Sequence, residues 1–65
     1  MSKYNTIREQ LRVEAGEKYQ GTIQTYLLDI ERMHMQDEFC AQYIKLQNVG
    51  FHPYDCLIAF MKGVK

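Results

Sequence analysis

The residues in this 65-residue chain best equipped for chemistry are two histidines and two cysteines: His34, Cys40, His52 and Cys56. Together they could ligate a soft divalent metal, and a Cys–His pair could in principle make a nucleophile. Their spacing argues against both. The nearest pairs are His34-x5-Cys40 and His52-x3-Cys56, whereas structural zinc sites show tighter knuckles such as C-x2–4-C. On a continuous helix, residues six apart point about 240° apart, so His34 and Cys40 could not chelate together. No sequence feature supplies an oxyanion hole, and a chain this short cannot hold both a core and a pocket of several hundred Å³. The expectation is a protein that is not an enzyme, with no metal, no cofactor and two free thiols. His52, directly before Pro53, reads as an occupant of a helix N-cap region.

With chemistry set aside, binding remains. Net charge is zero, from eight basic and eight acidic residues. A dedicated nucleic-acid binder carries a basic face, so nucleic acid is not the expected partner. Asp29, Glu31, Asp37 and Glu38 against Arg32 alone read as a solvated helix face. The eight aromatic residues, five Tyr and three Phe, sit at core periodicity and read as packing, not as base-stacking platforms. The opening Met-Ser-Lys-Tyr has no apolar run behind it, and no stretch reaches the roughly 20 apolar residues of a membrane helix. Two cysteines are too few for a disulfide framework. These features together predict a cytoplasmic protein. With 46% hydrophobic and 25% charged residues, four Gly and one Pro, the composition is that of a single globular domain over residues 1–65.

The elements follow from caps, stops and stripes. Thr6 and Glu9 fit a capping box, with Ile7, Leu11 and Ala15 at helical spacing behind it and Gly16 placed to end the helix. The segment from Gly16 to Gly21 reads as a turn; the alternative is a β-hairpin pairing Leu11–Ala15 with Thr22–Leu27. Thr22 is expected to cap a second helix, whose stripe is Ile23, Tyr26, Leu27, Ile30 and Met33. No Gly or Pro occurs between Thr22 and Asn48. The helix therefore either runs through, roughly 40 Å long, or breaks near Gln36–Asp37 with Asp37 capping a third helix. Running through would put Leu28, Met35, Phe39 and Leu46 on a second stripe opposite the first. Breaking makes Phe39, Cys40, Tyr43, Ile44 and Leu46 one wide apolar arc. The break is preferred, because it lets one chain fold on itself.

Asn48-Val49-Gly50 is a firm stop, and Pro53 and Asp55 begin a last helix that Lys62 and Gly63 close. A buried strand from Cys56 to Met61 is the alternative there. Tyr54, Leu57, Ile58 and Met61 fall on one face of this helix, with Cys56 and Phe60 nearly opposite. An all-round apolar helix belongs inside a structure, and a domain of this size buries only about 60% of its unfolded surface. Phe60 and Cys56 are thus expected to need a second chain.

Val49-Gly50-Phe51 before a short helix resembles the Met-Gly-Phe loop of ubiquitin-associated domains. The third helix of that fold has no counterpart here. The same segment resembles the turn of a helix-turn-helix, with Val49, Phe51, Cys56 and Ala59 on the positions such motifs keep apolar. Leu46 stands where a small side chain is usual, and the would-be recognition helix offers no Arg, Asn or Gln to read base edges.

The sequence therefore predicts a compact all-α bundle of three to four short helices, or one with a long central helix. It is expected to be homodimeric and to dock on a larger protein that it modulates or inhibits. The expected interface is Tyr54, Leu57, Phe60 and Met61, with Leu28, Met35 and Phe39 next. The alternative is a small dimeric DNA-binding regulator with a degenerate helix-turn-helix, using Arg8, Arg12 and Lys18 on phosphates.

Overall fold

A computed structural model describes residues 2–63. The chain forms α1 (Lys3–Glu14), a short 3-10 turn (Glu17–Tyr19), α2 (Gln20–Arg32), α3 (Gln36–Val49) and α4 (Pro53–Gly63). No strand occurs among the described residues, so neither the hairpin nor the C-terminal strand forms. The four helices fill a volume of 27 × 26 × 25 Å.

Several caps differ from expectation. Ser2, not Thr6, is the N-cap of α1: its Oγ accepts from the Asn5 amide at 3.2 Å, while the Thr6 hydroxyl donates back to the Ser2 carbonyl at 3.4 Å. Starting one turn earlier brings Tyr4 into the helix and onto the core. Gly16 does end α1 at positive φ (76°), but its ψ of 172° is extended, not left-handed helical. The Gln20 side-chain amide donates to the carbonyls of Arg12 (2.6 Å) and Gly16 (3.0 Å), satisfying the end of α1 from the start of α2. Thr22 caps nothing, because the 3-10 turn feeds α2 two residues before it.

The central segment breaks, at Met33–Met35, and the single long helix does not form. His34 takes φ 56° there, and Met35, not Asp37, is the N-cap of α3, with no side-chain cap bond. Asp37 lies inside the first turn. The stop at Gly50 (φ 112°) and the start at Pro53 fall where the sequence placed them.

Phe39, fully buried, is the centre of the core. The rings of Tyr4, Tyr43 and Phe60 meet it edge-on at centroid distances of 6.2, 5.8 and 5.3 Å, each such pair worth about 0.5–1.5 kcal/mol beyond its buried area. Ile7, Leu11, Ile23, Leu27, Ile30 and Leu57 complete the apolar interior. The structure corrects the expected facing of α4: Phe60 (8% exposed) and Cys56 (0%) lie in the chain's own core. Pro53, Cys56, Leu57 and Phe60 form an i, i+3, i+4, i+7 stripe of their own. Tyr54, Ile58 and Met61 are left half-buried on the flank.

Candidate partner-binding groove

The seven residues expected at an interface separate into three groups. Leu57 and Phe39 are fully buried within the single chain, and Phe60 keeps only an 8% exposed edge. Tyr54, Met61 and Met35 are half-buried and pack against the core. Tyr54 is also covered by Tyr19, stacked on it at 4.4 Å with the planes 28° apart. Leu28 stands free, 50% exposed.

Leu28 lines a groove of about 330 Å³ between α1 and α2, with Arg8, Glu9, Arg12, Gln20, Ile23, Gln24, Leu27 and Glu31. The two helices run antiparallel: Arg8 lies 3.8 Å from Glu31, and Gln20 reaches the Arg12 carbonyl. The stripe that buries Ile23 and Leu27 sets Leu28 one residue further round, on the wall. The groove is therefore mixed: Leu28 above buried Ile23 and Leu27 supplies its apolar part, and Gln20, Gln24 and the charged rim supply the rest.

The rim charges are matched internally. Arg12 pairs with Glu9 one turn back, which holds the Glu9 carboxyl below its usual range and the guanidinium above. Both side chains are open to water, so the pair adds little stability. Glu31 accepts a 2.6 Å hydrogen bond from the Tyr4 hydroxyl and faces Arg8. Burial and then that bond to Glu31 push the Tyr4 phenol well above its ordinary value. Tyr4 is thus a positioning residue for the rim, unseen in the sequence because it precedes the expected start of α1.

Three other hollows are less suited. The largest, about 610 Å³, is lined by α1 alone, from Asn5 to Glu14, and has no opposing wall. One between α1 and α3 has Lys3, Asp37, Cys40 and Ile44 in its lining, and one between α3 and α4 has Met35, Gln42, Ala59 and Phe60.

Of the four residues with metal or nucleophile chemistry, both cysteines are free and buried. Burial is the first cause that raises each thiol; Asp37 adds to it at Cys40 and Asp55 at Cys56. Cys56 also points its thiol at the Phe51 carbonyl, 3.9 Å away. His52 Nδ1 accepts from the Tyr54 amide at 3.3 Å, the N-cap role its position suggested. Among the described residues, no group of three or more His, Cys, Asp and Glu side chains is placed to hold a metal ion. No helix there is long and apolar enough to cross a membrane.

Comparison with protein families, curated proteins and solved structures finds no match to this chain.

Proposed function

We propose that this is a small, non-enzymatic regulatory protein that acts by binding a larger protein and that also self-associates. One observation carries the binding reading: half-exposed Leu28 stands on the wall of a mixed groove whose rim holds two arginines and two glutamates. Such a groove suits an amphipathic helix laid between α1 and α2, its apolar face on Leu28 and its charges of both signs on the rim. A half-exposed leucine retains apolar surface that a partner would gain by covering.

Little favours DNA reading. Arg8 and Arg12 are both engaged by carboxylates, and Lys18 lies 5.7 Å from the Tyr19 ring centroid. On α4, which would be the recognition helix, Asp55 and Lys62 are the only charged side chains.

The test is affinity capture from the native host with the wild-type chain and with Leu28→Asp, checking that both keep the same helix content. A partner retained by the wild type and lost more than tenfold by the variant supports the groove. A partner that both retain equally places binding elsewhere, and capture of duplex DNA in place of protein overturns the reading.

A further inference from the structure

The corner between α2 and α3 sets local preference against the observed backbone. No glycine or proline lies between Thr22 and Asn48, and methionine, on either side of His34, is among the better helix formers. Yet His34 is held at φ 56°, a region that residues with a Cβ enter at a cost. The break also leaves α3 with Met35 as its N-cap and no side-chain cap. A continuous helix would return the first amides of α3 to backbone partners one turn back. Two local hydrogen bonds close the corner, His34 N–H to the Glu31 carbonyl and Met35 N–H to that of Ile30. They do so at the cost of a left-handed histidine and an uncapped α3, and packing between the two halves of the chain offsets that cost.

The contacts that offset it are links between α1–α2 and α3–α4. The Tyr43 hydroxyl donates to Gln10 Oε1 at 2.8 Å. Tyr4 meets Phe39 and Tyr19 stacks on Tyr54. None of these links requires that both halves belong to one chain.

We infer that the partner in self-association is a second copy of this chain that exchanges its α3–α4 hairpin. In that dimer, residues 20–49 form one helix of about 45 Å, and each link above is remade between chains. Two left-handed histidines are relieved, and the interface is the monomer's own core, a low-cost route to a dimer. The next corner cannot open in this way, because Pro53 would break a continuous helix there. The inference rests on the self-association part of the proposed function and is independent of the groove.

Sedimentation of the full chain up to millimolar concentration measures the dimer. Spin labels on cysteines introduced at Thr22 and Asn48, in a Cys40→Ala background with the fully buried Cys56 left unlabelled, measure its form. In the exchanged dimer the two positions of one chain lie about 39 Å apart along a straight helix, beyond the 27 Å longest extent of the monomer. Dimers mixed from doubly labelled and excess unlabelled chains isolate this intrachain distance. His34→Ala should strengthen dimerisation about tenfold, roughly threefold for each of two hinges, because alanine is the better helix former and tolerates the left-handed region less well. His34→Gly, which suits the bent corner and weakens the straight helix, should weaken it. A dimer that keeps the monomer's label distance leaves self-association standing and overturns the exchange. Monomers throughout, His34→Ala included, overturn both. Equal dimer strength in the Ala and Gly variants also overturns the exchange, even if one of them is less stable as a monomer.

Discussion

The corners at Met33–Met35 and at Gly50–His52 are closed by the same pair of backbone hydrogen bonds. In the first, His34 N–H donates to the Glu31 carbonyl (3.2 Å) and Met35 N–H to Ile30 (3.0 Å). In the second, Gly50 N–H donates to Gln47 (3.0 Å) and Phe51 N–H to Leu46 (3.1 Å). Both are Schellman ends, which need one residue at positive φ. Glycine fills that position in the second and histidine in the first. Beyond it, the second corner has a proline start and a histidine cap, whereas the first starts α3 from an uncapped methionine. Identical hydrogen bonds thus have two origins: local residues make the Gly50 corner, and the core imposes the His34 corner.

The strongest way to break this comparison is to remove the packing common to both corners. Leu57→Ala should cost about 2–5 kcal/mol and Phe60→Ala about 3–5 kcal/mol in urea unfolding. Comparable losses would place Phe60 functionally in the internal core. A Phe60 variant of near wild-type stability would mean that the ring is not held against Phe39. Next in size is Gly50→Ala, which forces a Cβ to φ 112° and should cost about 1–2 kcal/mol. His34→Gly should act with the opposite sign. Relief of the left-handed strain outweighs the added freedom of the unfolded chain, for a net gain of about 0.5 kcal/mol. Equal and same-signed effects at His34 and Gly50 would remove the distinction between the corners.

The smallest effect at neutral pH appears only in alkali. Burial first, and the nearby Cys56 next, push the Tyr43 phenol from its ordinary 10.0 up to about 12. The unfolded chain loses that proton first as pH rises. The contribution is therefore intact below about pH 10 and lost on passing to about pH 12. Tyr4 shifts in the same direction, and so do both thiols from 9.0. Stability measured from pH 8 upward should fall through this window. A flat profile would indicate that these groups are as hydrated in the fold as in the unfolded chain.

The Gly50 corner was legible in the sequence because Gly50 and Pro53 are each suited to one conformation and Asp55 suits the positive start of a helix. The His34 corner was only half legible. Its existence followed from two apolar stripes that one helix could not bury. Its position, three residues before the expected Gln36–Asp37, did not, because Met33, His34 and Met35 carry no turn signal. Thr6 and Thr22 were credible caps that lost to Ser2 and to the 3-10 turn, where tertiary closure by Gln20 decides the register. On α4 two stripes share Leu57, and periodicity alone cannot rank them. The ring of Phe39, from a different helix, selects the one containing Phe60. In the groove, Glu9–Arg12 could be read from its spacing, whereas Arg8–Glu31 joins residues too far apart in the chain to be paired by pattern.

The two buried thiols make the molecule its own stopwatch. Cys40 (7% exposed) and Cys56 (0%) both lie on the α3–α4 hairpin. A trapping reagent therefore meets Cys56 only during excursions from the closed state, and it meets Cys40, at the edge of a hollow, far more slowly in that state than in the open one. Fraying of α4 uncovers Cys56 alone, giving two unequal alkylation rates. Departure of the whole hairpin uncovers both thiols in one event, so with enough reagent for trapping to outpace closure, doubly modified chains should accumulate without a singly modified precursor. The ratio of single to double adducts over time therefore records which motion the protein makes, and how often, under conditions where the closed state dominates every average.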